Sequence, residues 1–247
     1  MMLKEGSHYM RKIITTTFIT LDGVMQAPGG REEDKEDGFA YGGWQMSFPR
    51  DEKLGSILNG FFGIPFELLL GKTTYDIFAG YWPTAKTDNE VAIPFNKTKK
   101  YVVSHQSFEP SWHNSVCITG DVVAQLKRLK EEDGPDLWVW GSGNLIQTLL
   151  KEHLIDRMHL WIHPITIGTG KKLFAEGTQP QNFKLVDSEV GTTGLALLAF
   201  LGAGYDHRAT KQWTDPFTKK VIRVGEVVKK GLLFLKDQQD EVGNLCP

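Results

Sequence analysis

Short apolar runs alternate with amphipathic stretches along most of the chain. Ile13 to Leu21 (IITTTFITL) is rich in β-branched residues and too short for a stable helix, so it predicts a first strand. A loop rich in glycine and proline follows over residues 22–49. It contains Arg31 to Asp37 (REEDKED), a run of net charge −3 that reads as a solvated loop. The pattern then predicts a helix over Asp51 to Phe62, a buried strand over Phe66 to Leu70 that ends at Gly71, and a second helix from Lys72 or Thr73 to about Phe78.

Beyond this point strands and helices take turns. Strands are predicted over Tyr101 to Ser104, Ser115 to Ile118, Leu137 to Trp140 and Arg157 to His163, with helices over Asp121 to Glu132 and Asn144 to His153. In the helix that starts at Asp121, apolar Val122, Val123, Leu126 and Leu129 recur at three and four residue spacing, so one face is buried. Strands linked by crossover helices imply an α/β fold whose mostly parallel sheet is covered on both faces, with ligands received beyond the strand ends. Phe183 to Val190 and Leu195 to Leu201, joined by Gly191-Thr192-Thr193-Gly194, predict a C-terminal antiparallel hairpin. After Gly204 a polar stretch leads into a weakly alternating segment, Val221 to Leu235, which has no place in the preceding alternation.

Composition narrows the classes. A chain of 247 residues with 40% hydrophobic and 23% charged residues folds around a core as one large domain or a domain with an appendage. A net charge of −2 provides no general attraction to nucleic acid or to an anionic membrane, and neither is expected as a partner. Two isolated cysteines, Cys117 and Cys246, argue against a zinc site or a disulfide framework and fit a reducing, cytoplasmic compartment. The first twelve residues lack the apolar stretch of a signal peptide, and no apolar run reaches the about 18 residues of a membrane span.

Several strand ends could carry chemistry. Gly71-Lys72-Thr73-Thr74 invites a phosphate-loop reading, but the first glycine of that motif would fall on Phe66, inside a strand. A glycine turn that opens a helix still leaves free N–H groups for an anion, and the alternative is that Thr73 or Thr74 caps the helix. A second junction of this kind is Trp140-Gly141-Ser142-Gly143-Asn144-Leu145-Ile146. The dinucleotide fingerprint fails there at Ile146, and a nucleophile elbow around Ser142 fails at Trp140 and Asn144. Its glycines allow either close approach of a ligand or close packing of strand and helix.

Ser104 and His105 end another strand, where they could meet an adenosine or remain solvated. Asp22, beside Gly23, could orient a ligand, supply a proton or close an Asx-turn. Trp82 could cover a flat ring or anchor a loop. His159 and His163 share strand parity but stand about 13 Å apart along an extended chain, too far for one metal ion, and no metal site is expected.

Taken in order, TLDG at 20–23, LLLGKTTYDIF at 68–78, YVVS at 101–104, WVWGSGNLIQTLL at 138–150 and HPITIGTGKKLF at 163–174 resemble the dihydrofolate reductase-like family, in particular the C-terminal reductase domain of bifunctional riboflavin biosynthesis proteins. The resemblance runs from about Arg11 to Phe200. It implies a three-layer sandwich over residues 11–203, with 204–247 as an extension of unassigned role. It also implies NADPH as cofactor and reduction of a pyrimidine- or pterin-like ring. By the resemblance, Gly71, Lys72, Thr73 and Thr74 surround the adenosine 2′-phosphate and pyrophosphate, and Ser104 lies near the adenosine. Gly141, Ser142, Gly143, Asn144, Leu145 and Ile146 would cradle the pyrophosphate and approach the nicotinamide.

Dihydrofolate reductases carry an acid on the first helix at the position of Gly55, with Asp51 and Glu52 the nearest acids here. The chain also lacks the zinc deaminase signature of the bifunctional enzymes, so it reads as a stand-alone reductase module. Asp22 is the expected substrate-orienting or proton-relay group and Asp51 the second candidate, with Trp82 as a substrate contact and a homodimer as the expected assembly. Two alternatives remain open. One is a nucleotide-binding protein of this fold without turnover, and the other is an interaction protein that uses the C-terminal extension.

Overall fold

The computed structural model describes residues 10–48, 52–86, 90–188, 212–214 and 221–223. The chain divides into two compact units, Met1–Met46 with Gly55–Gln181, and Ser47–Leu54 with Asn182–Pro247. The first unit holds six strands, β1 (Ile13–Thr20), β2 (Phe66–Gly71), β3 (Lys100–Val103), β4 (Ser115–Ile118), β5 (Asp136–Trp140) and β6 (Arg157–His163). They form one sheet in the order β4-β3-β2-β5-β1-β6, with every pair parallel. In the second unit, β7 (Gln212–Thr214) and β8 (Val221–Arg223) pair antiparallel.

Strand parity sorts the side chains into two cores. Ile13, Ile19, Leu69, Leu137 and Val139 face the layer made by α4 (Val122–Glu131) and α5 (Gly143–Lys151), which contributes Leu126, Leu129, Leu145, Ile146 and Leu149. Ile14, Phe66, Leu68, Leu70, Trp138 and Trp140 face the other layer, made by α1 (Glu52–Phe62), α2 (Lys72–Tyr81) and α3 (Ala92–Lys97), through Phe61, Phe62, Tyr75 and Phe95. This is the expected three-layer α/β architecture with a parallel sheet buried on both sides. Asp121 caps α4 by accepting a hydrogen bond from the Ala124 N–H at 3.0 Å, as its place before the amphipathic run predicts.

Three expectations need amendment. The apolar pattern does not signal α3, because its six residues are too few for a periodic repeat and include Pro94; it is held by Phe95, which is wholly buried. Within the predicted hairpin, residues 183–188 adopt no strand, and 189–201 lie outside the described residues, as does the expected boundary at 203. The acidic run is exposed at most positions but anchored. The Lys171 ammonium pairs with Asp34 at 2.7 Å and Glu36 at 2.6 Å, and the Gln26 amide bridges the Glu36 carbonyl and the Lys171 N–H. The same loop forms a small third core from Val24, Ala27, Phe39 and Trp44. Gly170 is required beneath it, because a Cβ there would stand 2.6 Å from the Phe39 ring, and its φ is +105°.

The opposite end of the sheet is cross-linked by buried charge. Arg11 donates to the Pro135 carbonyl at 2.6 Å and pairs with Glu67, while Lys130 pairs with Asp156 at 2.5 Å and Asp156 accepts the Ile13 N–H at 2.7 Å. Lys100 is different. It is fully buried, and its ammonium meets three carbonyls, of Asn96, Thr98 and His113, at 2.8–3.1 Å, with the Trp112 ring 4.4 Å away.

Burial pushes the Lys100 pKa down to about 8. The folded chain therefore releases this proton near pH 8, and the unfolded chain near the ordinary lysine value of about 10.4. Between those values the unfolded state holds more protons, so stability rises with pH; below about 8 the contribution is constant. Urea unfolding of wild type and Lys100→Met at intervals from pH 7 to 10.5 should show an upward slope in wild type that the variant lacks. Parallel profiles would show that Lys100 titrates normally in the fold.

Candidate functional site

The sheet order creates a crevice between two neighbouring strands. From β2 the chain passes through α2 to β3 on one side, and from β5 through α5 to β6 on the other, so their C-terminal ends form a topological switch point, where open α/β sheets receive ligands. Both expected junctions lie there. Gly71 precedes α2 and Ser142 precedes α5, and neither helix has a side-chain cap at its N-cap. The N–H groups of Lys72, Thr73 and Thr74, and of Gly143, Asn144 and Leu145, therefore lie in helical first turns without intrahelical acceptors, at the positive ends of two dipoles.

The two junctions are joined to each other. The Ser142 hydroxyl accepts the Gly71 N–H at 2.9 Å and donates to the Trp140 carbonyl at 3.1 Å, while the Ser142 N–H donates to the Thr74 hydroxyl at 3.0 Å. Ser142 holds a left-handed conformation (φ 60°, ψ 50°) that makes these bonds simultaneous. Gly141 precedes it at φ +58°, and a Cβ there would stand 3.3 Å from Thr74. Thr74 and Ser142 thus spend their hydroxyls on the junction itself. On the near side of α5, the Met25 sulfur lies 3.3 Å from where a Gly143 Cβ would stand, so the loop after β1 reaches the same crevice.

The remaining expected contacts are placed as follows. Lys72 sits at the start of α2, but its ammonium is gripped by Asp76 at 2.6 and 2.8 Å and lies 4.6 Å over the Phe108 ring. Thr73 and Asn144 are exposed in the first turns. Leu145 and Ile146 turn into the core, and the Ile146 N–H is bonded to the Ser142 carbonyl, so Ile146 presents no group to the crevice. Ser104 follows β3, where it donates its N–H to the Ile118 carbonyl and accepts the Gln106 N–H on its hydroxyl.

Asp22 stands at the end of β1 and clamps a loop. Its carboxylate accepts from the Thr20 hydroxyl at 2.5 Å, the Gly168 N–H at 2.6 Å and the Ile167 N–H at 3.2 Å. Burial works to raise its pKa, but these bonds outweigh it and leave the pKa below the ordinary value. Held as the anion, the carboxylate orients what donates to it, and here the donors include the backbone of the 167–168 loop. Asp51 lies outside the described residues. Trp82 lies just beyond the far end of α2, about 15 Å along the helix axis from Gly71, and packs against Phe78 and Phe95. Its indole N–H is buried without a hydrogen-bond partner, and the expected substrate contact stands apart from the two junctions.

Sequence reasoning missed a row on the α1 face of the sheet. Register places Thr16 beside Trp140 on one side and His159 on the other, with Trp161 one step further along β6. The Thr16 hydroxyl, the indole N–H groups of Trp140 and Trp161, and the His159 Nδ1 are all buried without a hydrogen-bond partner. Burial, assisted by Arg157, lowers the His159 pKa, so the ring is neutral at pH 7. Phe61 stacks on that ring at 4.6 Å. Strand parity, applied to the histidines only as a metal question, would have gathered this row had Thr16 and the tryptophans been included. Among the described residues no cluster of metal-ligating side chains occurs, and no helix is long and apolar enough to cross a membrane.

Two Bacillus subtilis proteins, both uncharacterized, are similar along most of their length. YyaP is 28% identical over 193 residues, covering 77% of this chain and 94% of YyaP. YwjB is 25% identical over 176 residues, covering 71% and 89%. Among solved structures, a protein from Shewanella sp. PV-4 described as a riboflavin biosynthesis protein shares the fold with a TM-score of 0.54 at 23% identity, over 72% of this chain and 92% of that one. The RibD C-terminal domain matches residues 11–197, and the chain therefore belongs to the RibD C-terminal domain family.

Proposed function

We propose that this chain is an NADPH-dependent reductase that delivers hydride to a small planar heterocycle of pyrimidine or pterin type. The observation that carries the reading is the pair of helix N-termini fixed side by side at the β2/β5 crevice. An extended dinucleotide carries a pyrophosphate, and six first-turn N–H groups with two converging dipoles suit its charge. Family membership supports the same class of chemistry.

The residues present fit such a coenzyme. Gly141 and Gly143 keep the backbone bare where the chain reverses, and Ser142 with Thr74 fixes the spacing of the two N-termini. Lys72, Thr73 and Ser104 stand on the side where an adenosine 2′-phosphate would lie, and Trp140 leads the crevice toward the Thr16 row. NADPH supplies the hydride when bound, and the protein's task is to align donor and acceptor and to exclude water. Asp22 contributes by holding the 165–168 loop against the end of β1.

Calorimetry and thermal melting with NADPH and NADH test the reading directly. Coenzyme at a hundred times its Kd should add about 2.7 kcal/mol of stability and raise the melting temperature; no heat and no shift would dismiss the reductase. Because Lys72 is shared with Asp76, Lys72→Ala should weaken NADPH only about tenfold, roughly 1.4 kcal/mol, and leave NADH nearly unchanged. Equal losses for both would remove Lys72 from the 2′-phosphate.

Ser142→Ala strips the Gly71 N–H of its acceptor, at about 1–3 kcal/mol of stability. It should weaken both coenzymes alike, because it loosens the cradle and not the 2′-phosphate contact. Unchanged affinity after a measurable loss of stability would show that the staple serves the fold alone.

A further inference from the structure

Buried polar groups without partners are uncommon in native proteins, and each calls for a physical reason. Four converge on one patch here. Thr16 is 1% exposed and Trp140 7%, and their unpartnered polar atoms lie in one lateral row with the His159 Nδ1, next to the unpartnered Trp161 indole. Trp140 is also the last residue of β5, directly before the Gly141–Gly143 reversal, so the row adjoins the crevice where the two helices start.

Two of the four groups have a fixed polarity: an indole N–H donates and cannot accept, whereas the Thr16 hydroxyl and the neutral His159 ring can do either. A ring with an amino or amidinium edge would leave both indoles unsatisfied, whereas a ring edged with carbonyl oxygens would satisfy both indoles and Thr16. Phe18 packs against Trp140 at 6.2 Å and Trp161 at 5.7 Å, and Phe61 against Trp161 at 6.0 Å, so aromatic rings border the row and favour a flat ligand.

Charge at the sheet end adds a second constraint. Trp44 packs edge-on against His163 at 5.3 Å and donates its indole N–H to the Gln26 carbonyl, which joins the Arg31–Asp37 loop to this face. That run has net charge −3, and the Lys171 beside it is already matched by Asp34 and Glu36. The negative field at this end of the sheet disfavours a phosphate on the substrate.

We infer that the substrate is a neutral planar ring whose edge carries carbonyl acceptors and which bears no phosphate. The inference rests on the reductase reading for the word substrate, but the binding it requires can be measured without coenzyme. Isothermal titration of the full chain with lumichrome, riboflavin, FMN and 2,4-diaminopyrimidine separates the features. Riboflavin and FMN differ by one phosphate, and the diaminopyrimidine presents a donor edge.

Lumichrome and riboflavin should bind, with FMN and the diaminopyrimidine at least tenfold weaker. Thr16→Val should weaken lumichrome about tenfold without lowering the melting temperature, because it removes a hydroxyl that has no partner in the free protein; Trp161→Phe should weaken it comparably. FMN equal to riboflavin, a diaminopyrimidine equal to lumichrome, or full affinity in both variants would overturn the inference. So would ring probes that fail to bind a protein that binds NADPH. Rings that bind as predicted to a protein indifferent to NADPH would retain the site and dismiss the reductase.

Discussion

The crevice depends on one serine held in a left-handed conformation. Ser142 receives the Gly71 N–H, returns a hydrogen bond to Trp140 and sends its own N–H to Thr74. A non-glycine residue there costs about 1–2 kcal/mol relative to right-handed backbone, and three hydrogen bonds of about 1 kcal/mol each offset it. The result is a rigid relation between β2 and β5, and through them between the starts of α2 and α5. Without it the two N-termini would have no fixed spacing, and the field of a single helix end is weak once solvent screens it.

That geometry also explains which parts of the site were legible in the sequence. Both junctions could be read, because a strand, a glycine and a helix start are local signals carried by Gly71 and Gly141. Their mutual bonding could not. The Thr74 hydroxyl accepts the Ser142 N–H and the Ser142 hydroxyl accepts the Gly71 N–H, across 68 and 71 residues of sequence, and those meetings are fixed only by strand order. Asp22 shows the same limit. Its local neighbourhood fits an Asx-turn or a catalytic acid equally, and its bond to Gly168 depends on the parallel pairing of β1 with β6, which brings that loop alongside.

The fold was more accessible than the site, since parity and period are short-range. His159 shows the limit. Its parity with His163 was visible, but the question put to it was about metal, and the partners that matter stand on β1 and β5. The motif from His163 to Phe174 has a comparable history. Read as a family signature, it resolves into physical tasks: Gly168 donates to Asp22, Gly170 makes room for Phe39, and Lys171 gathers Asp34 and Glu36. Its residues hold a loop over the sheet end.

The orphaned polar row and the satisfied sheet end make opposite bargains. At the N-terminal end of the strands every buried charge is matched, with Arg11 on Glu67, Lys130 on Asp156, and even Lys100 surrounded by three carbonyls. At the other end Thr16, Trp140, His159 and Trp161 are left without partners, although valine and phenylalanine would fill similar space at lower cost. Unpaired hydroxyls also occur elsewhere, at Ser115 where β4 begins and at Thr15 and Thr17 on the opposite face, but only beside the crevice do two indoles join them. There a ligand can supply what the chain withholds, and the cost borne by the free protein becomes affinity when that ligand arrives.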